Sequence, residues 1–489
     1  MKKLECDILI IGGGASGMCC AVQAAELGAS VIVLEKMSTT GGCGNMAAGP
    51  FAVGSPLQKK EIIGLDVDTA VKDIMYYTHC RPDQKRTRRY VEKSGDTIKW
   101  MMDMGVKFMH PISYFPGANP TWHFMLDKDG QIGWRTGANT IRILTDRAIE
   151  LGVEILLDTP VEKLLTEDGK VIGAKAENDD GEDIEVYAPA TVICTGGFGA
   201  NDDMIKEQCG FDVGENIFPY QIPGLEGDGI KMAWDIGAGK SSVGMELIYW
   251  CPETGGYQDE EFPFRQCGLA VNLDGERFMD EENMKNPVFT ANTIKRQKKQ
   301  CFWSVIDQNT MNEFAANGPD YYMINTIITP DFSNIQERVE GWIENYPELV
   351  VKADSLDELA EKTGINKENL ADTIARYNGY CDTSDAEYHK KQEYLRKVEA
   401  PQYFAMKFML SAYGSLGGIN INSDFKVLDV DHNVIPGLFA AGTDTNDISD
   451  PDYVFIMPGS TLAYAYNSGR LVAEEAVNYV QELYDSEEE

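Results

Sequence analysis

Positive charge is in short supply in this chain. Across 489 residues, 43 Lys and Arg stand against 78 Asp and Glu, a formal net charge of −35. A surface so acidic repels the phosphates of nucleic acid and anionic lipid headgroups, so neither is expected as a partner. Histidine is scarce: the five residues His79, His110, His123, His389 and His432 show no metal-ligand spacing. The 11 cysteines include no Cys-x-x-Cys pair and no Cys-x-x-Cys-His motif, which excludes the usual iron–sulfur and haem attachments; no metal site is expected. No uncharged apolar run reaches the roughly 18 residues of a membrane span. The N-terminus, Met1-Lys-Lys-Leu-Glu-Cys-Asp7, passes straight into an apolar run and has no export-leader pattern; a cytoplasmic protein is expected. The acidic tail, Asp485 to Glu489, is expected to fray. Hydrophobic residues make up 43% of the chain and aromatics 10%, enough for a substantial core and, at this length, for two or three domains.

The chain does contain a glycine cluster in an ordered setting. Ile8 to Ile11 is an apolar run that stops at Gly12, Gly13 and Gly14, and a helix-compatible segment starts at Ala15. Gly12-x-Gly14-x-x-Gly17 is the spacing of a dinucleotide fingerprint: Gly12 for the tight turn, Gly14 for close approach of a pyrophosphate, Gly17 for helix–strand packing. The helix start at Ala15 and Ser16 offers N–H groups to phosphate. A second strand, Ser30 to Leu34, ends at Glu35, where a carboxylate can bind ribose hydroxyls. The cysteines Cys19, Cys20 and Cys194 fall in helix and strand patterns and are read as small core residues.

The segment after Glu35, from Lys36 through Gly41, Gly42, Cys43, Asn45, Met46 and Ala48 to Gly49, is rich in glycine and small residues, so that its backbone can approach a large flat ligand. Here the sequence resembles the fumarate reductase and succinate dehydrogenase flavoprotein superfamily, including its 3-ketosteroid dehydrogenase and tetrahydrodaidzein reductase branches. The resemblance extends over nearly the whole chain. It is carried further by the hairpin from Val161 to Ala176, by Thr191-Val-Ile-Cys-Thr195-Gly196-Gly-Phe198, by Gly227-Asp228-Gly229, by Leu438-Phe-Ala-Ala-Gly442 with Thr443, and by a final helix from Ser460 through Leu462. It implies a doubly wound, Rossmann-like α/β domain that binds FAD and is discontinuous (1–245 and 414–489), with an inserted α+β capping domain (246–413). It also implies that Gly12, Gly14, Ala15, Ser16, Gly17, Glu35, Lys36, Gly41, Gly42, Asn45, Met46, Ala48, Val161, Thr195, Gly196, Asp228, Gly442, Thr443, Ser460 and Leu462 form the cofactor site. Cys43-Gly-Asn45 stands where respiratory members carry a flavin-linking histidine, so the FAD is expected to be non-covalent. In the cap, Ser355-Leu-Asp-Glu358 reads as a capping box opening one helix, and Asn366 opens a second.

Reduction of an activated C=C bond needs a donor to polarise the activating group and an acid to protonate one carbon. Fumarate reductases use histidines and arginines. This chain has Trp250-Cys251-Pro252 in place of the family's His-Pro-Thr, Gly414-Ser-Leu-Gly-Gly418 in place of His-Thr-Met-Gly-Gly, Ile456 near the clamp arginine and Lys285-Asn286 near the acid arginine. Without those cations a dicarboxylate is poorly held. Tyr249, Trp250, Tyr413, Tyr453, Phe455 and Met457 replace them, suiting a planar polycyclic or phenolic ligand. Arg265 matches the family's proton-pathway arginine and Tyr114 stands where steroid-active relatives have a catalytic tyrosine; with Tyr413 they are the candidate catalytic residues. The expected activity is FAD-dependent reduction of an enone-like C=C bond of an apolar steroid or isoflavonoid-type substrate. A 3-ketosteroid-type dehydrogenase running oxidatively and a flavoprotein subunit of an electron-transfer complex remain as alternatives. NADH, reduced flavin or ferredoxin could each supply electrons, and the sequence does not determine the oligomeric state.

Overall fold

The computed structural model describes residues 2–133, 135–254, 258–321, 331–399, 402–449 and 453–488. Its centre is a six-stranded sheet in the order Lys426–Leu428, Val434–Ala440, Ala190–Ile193, Ile8–Ile11, Val31–Leu34, Glu154–Leu156. Every pairing is parallel except that of the Lys426–Leu428 edge strand. The three inner strands Ala190–Ile193, Ile8–Ile11 and Val31–Leu34 are buried along their whole length, as a parallel sheet covered on both faces requires. The expected Rossmann-like α/β domain is present.

The helix Ala15–Glu26 follows the first strand with no side-chain cap at its N-terminus. The reversal is tight: Gly12 has φ +101°, and a Cβ there would lie 2.4 Å from the Cys194 carbonyl oxygen. A Cβ on Gly17 would lie 1.9 Å from the Gly12 carbonyl oxygen, so only glycine lets this helix lie on this strand. Cys19, Cys20 and Cys194 are buried in the same core.

A four-stranded sheet joins Lys2–Glu5, Asp183–Tyr187, Lys170–Glu177 and Val161–Glu167. Its expected hairpin turns at Asp168 (φ +47°) and Gly169 (φ +79°), the left-handed pair of a tight hairpin turn.

The inserted region is built on a third sheet, Leu269–Val271, Cys301–Asp307, Tyr403–Ile419, Val350–Ala353, with Lys240–Trp250 also paired to the long strand Tyr403–Ile419. The expected boundaries at 245/246 and 413/414 fall inside these two long strands. Opposite each other in register are Met245 and Ser415, then Leu247 and Ala412. Glu246 therefore faces the two residues Tyr413 and Gly414 of a β-bulge, which re-aims the side chains around it. Cap helices Leu356–Thr363 and Lys367–Cys381 start at Ser355 and Asn366, whose side chains accept from the Glu358 and Asn369 N–H groups. Glu358 reaches back to the Asp354 N–H at 2.8 Å rather than to that of Ser355.

The C-terminal helix Ser460–Glu488 packs along Ala15–Glu26. The helix runs through the acidic tail to Glu488, and Glu489 lies outside the described residues. No helix among the described residues is long and apolar enough to cross a membrane. Among them no group of three His, Cys, Asp or Glu could hold a metal ion.

Candidate active site

Strand ends, the small-residue loop and the cap sheet enclose one large cavity of about 700 Å³. Its first half is walled by backbone. Gly12, Gly14, Ala15, Ser16, Gly41, Gly42, Met46, Ala48, Val161, Thr195, Gly196, Thr443 and Leu462, all candidate cofactor residues, line it. A Cβ on Gly14 would find its nearest atom at 3.9 Å, so the turn itself tolerates one; the space it would occupy belongs to the cavity. Glu35 lines the wall while its carboxylate accepts the Gly13 N–H at 2.6 Å and the Met37 N–H at 2.8 Å. Lys36 donates to Asp228 at 2.7 Å and to Glu226 at 3.2 Å, so two expected cofactor residues are held as an ion pair. An uncapped helix start, a glycine opening onto the cavity and a buried acid beside it fit a dinucleotide.

Four expected cofactor residues support this wall from behind. Gly17 packs on Gly12 as described above. Asn45 folds across Gly41 and donates to the Thr40 carbonyl at 3.0 Å. The Gly442 N–H donates to the Ser468 hydroxyl at 2.9 Å. Ser460 is buried, and its carbonyl accepts from Tyr90 at 3.1 Å. Sequence reasoning passed over Asp444. Its fully buried carboxylate accepts the N–H groups of Thr195 (2.6 Å), Gly196 (3.1 Å) and Gly197 (2.8 Å). Burial raises its pKa and these bonds pull against that.

The second half is walled by rings: Tyr114, Trp122, Tyr220, Tyr413, Tyr453 and Phe455. Phe455 meets Tyr114 edge-on at 4.6 Å and Tyr453 at 4.6 Å, while Tyr220 stacks on Tyr413 at 5.8 Å. The candidates Tyr114 and Tyr413 are thus brought together. Arg265 is not. It is fully buried inside the inserted region, paired with Glu261 at 2.7 Å, donating to the Tyr249 carbonyl at 2.9 Å and lying over the Tyr249 and Phe408 rings. Tyr249, Trp250 and Met457, expected in the pocket, are buried and do not line the cavity. Tyr249 lies on the strand face opposite Glu246, and Trp250, on the same face as Glu246, packs edge-on against Tyr220 at 4.2 Å. Trp122 and Tyr220 went unrecognised; they lie in loops without periodicity.

Glu246 also lines this half and was overlooked. It is the one acid in the run Met245-Glu-Leu-Ile-Tyr-Trp-Cys251, and that isolated charge was the available signal. Burial pushes its carboxyl up to about 8, against a hydrogen bond shared with the Thr461 hydroxyl. Three basic residues line the cavity: Lys36, Arg135 and Arg338. Arg338 is bound to Asp259 at 3.1 Å and Glu260 at 2.9 Å.

A model of the family described as FAD binding domain matches residues 7–453. The chain belongs to this family. It is an FAD-dependent reductase or dehydrogenase of the fumarate reductase and succinate dehydrogenase flavoprotein superfamily. It is 30% identical over 495 residues, spanning 97% of each chain, to vinyl phenol reductase of Lactiplantibacillus plantarum. It is 26% identical over 448 residues to urocanate reductase of Eggerthella lenta, covering 90% of this chain and 69% of that one. The fold matches the 3-ketosteroid-Δ4-(5α)-dehydrogenase of Rhodococcus jostii, solved with 4-androstene-3,17-dione. The TM-score there is 0.75 at 23% identity, with 98% of each chain covered.

Proposed function

We propose that this enzyme reduces an activated C=C bond of an apolar, ring-bearing substrate, with phenolic alkenes ahead of steroid enones and isoflavonoids. The observation that carries this reading is the ring-walled half of the cavity; among the described residues, two of the three basic side chains that line the cavity are already bound to carboxylates. Lys36 and Arg338 are held by their own carboxylates, and Arg135 is exposed. Among the described residues, a diacid bound there would have Arg135 alone as an uncommitted cation, too little for two carboxylates. The likeness to a vinyl phenol reductase over the whole chain favours the phenolic class.

Bound FAD supplies hydride chemistry. The protein's share is to hold the substrate's ring between Phe455, Tyr413 and Tyr220, to exclude water, and to offer phenol hydroxyls to the activating oxygen. Tyr114 and Tyr413 are assigned that donor role. Arg265, sealed from the cavity, is assigned to holding the Glu261 turn. Residues 1–245 and 414–489 serve as the FAD domain and 246–413 as the cap, in a cytoplasmic enzyme that draws electrons from NADH, reduced flavin or ferredoxin. The test is anaerobic photoreduction of the holoenzyme followed by mixing with 4-vinylphenol, a steroid enone, an isoflavonoid, urocanate and fumarate. The flavin should be reoxidised fastest by a ring-bearing alkene; fastest reoxidation by fumarate would overturn the reading.

A further inference from the structure

Saturating a C=C bond consumes a proton as well as a hydride, and Arg265, the expected carrier of that proton, does not reach the cavity. Three other residues do, in a chain. Glu246 faces the bulge at Tyr413 and Gly414 from the opposite strand. It is hydrogen-bonded to the Thr461 hydroxyl at the start of the C-terminal helix. Thr461 in turn donates to the Tyr453 hydroxyl at 3.5 Å, the long end of a hydrogen bond. All three line the cavity, and Tyr453 sits edge-on to both Tyr413 and Phe455.

Resting on the C=C reduction proposed above, we infer that Glu246, Thr461 and Tyr453 form a proton relay, with Tyr453 as the acid that protonates the substrate carbon. The Tyr453 O–H bond breaks as the C–H bond forms. The phenolate oxygen takes the Thr461 hydroxyl proton, Thr461 takes the carboxyl proton of Glu246, and water reprotonates Glu246. The electron pair enters only with the hydride on the neighbouring carbon, so one hydride and one proton are added. The donor direction already present, Thr461 to Tyr453, is the one this transfer uses.

Burial keeps the Glu246 proton in place up to about pH 8. The groups that face Glu246 are the Tyr413 phenol across the strand pair, the Thr461 hydroxyl on the helix and the Cys43 thiol on the flavin-binding loop. Cys43 is exposed; crowding by surrounding atoms and, after it, the nearby Glu246 carboxyl push its thiol up.

Photoreduced holoenzyme mixed with 4-vinylphenol provides the kinetic test. Tyr453→Phe should slow flavin reoxidation by about 100-fold or more, the usual contribution of a general acid, with FAD still bound. In wild type the reoxidation rate should fall as pH rises through about 8, and in Glu246→Gln that dependence should vanish. An unchanged rate in Tyr453→Phe would overturn the relay while leaving the substrate reading intact. Infrared spectroscopy of the holoenzyme reads the relay without any substrate. A neutral-carboxyl band should be present in wild type at neutral pH, absent in Glu246→Gln and shifted in Thr461→Val. A missing band, or one that Thr461→Val leaves in place, overturns the relay even if no alkene in the panel is reduced.

Discussion

The two halves of the cavity are made by opposite means. The cofactor half is made of missing side chains: glycines and small residues bring strand ends, a helix start and a loop within backbone reach of a ligand. The substrate half is made of large rings from loops, from the long cap strand and from the segment before the last helix. Shape in the first half is enforced by sterics that act over a few residues. In the second it depends on segments from Tyr114 to Phe455 meeting in space.

The largest effect should come from the glycine half, where two substitutions separate folding from cofactor binding. Gly17→Val forces a side chain onto the Gly12 carbonyl, 1.9 Å from its Cβ, and should give insoluble or unfolded protein. Gly14→Val has room at its Cβ, so it should fold, with an unchanged far-ultraviolet circular dichroism spectrum, yet lack the yellow absorbance of FAD. If both fold and both bind FAD, the steric account of this half is wrong.

Glu246 links the halves through pH. Its folded pKa, about 8, lies above the ordinary 4.5. The stability it contributes is therefore fully present below about 4.5, where both states hold the proton, and is lost as pH rises through about 8. Glu246→Gln should flatten the fall in unfolding free energy across that window by a few kcal/mol, measured by denaturant titration at several pH values. A wild-type curve already flat there would remove the buried neutral carboxyl.

Asp444→Ala strips three backbone N–H groups of their acceptor. It should cost about 3 kcal/mol in chemical denaturation and weaken FAD retention. Phe455→Ala should leave FAD in place and raise KM for 4-vinylphenol by about 10- to 100-fold, the worth of one ring contact; a drop in FAD content instead would blur the division between the halves. The smallest effect belongs to the cavity's edge. Arg338 is partly exposed in its ion pairs with Asp259 and Glu260, so Arg338→Ala should change stability by under about 1 kcal/mol.

What was legible in the sequence follows the same division. The parallel sheet, the glycine turn, the hairpin at Asp168-Gly169 and most of the small-residue wall of the cavity could be read because each constraint lies within a short stretch. Asp444 was missed because its partners, Thr195 to Gly197, lie far back in the chain. Tyr249 was placed in the pocket and Glu246 was not, because nothing local tells which face of a strand meets the cavity. Arg265 was assigned by resemblance, and the structure gives it to Glu261, four residues earlier.

The ribbon formed by Lys240–Trp250 and Tyr403–Ile419 serves two purposes at once. It is the tether by which the inserted region hangs from the nucleotide-binding body, and it is also a wall of the reaction chamber. A one-residue slip of Lys240–Trp250 that no bulge absorbed would turn Glu246 toward the core and Tyr249 toward the ligand. Length at the root of the insert is therefore constrained, and the extra residue at Tyr413 and Gly414 is taken up by a bulge.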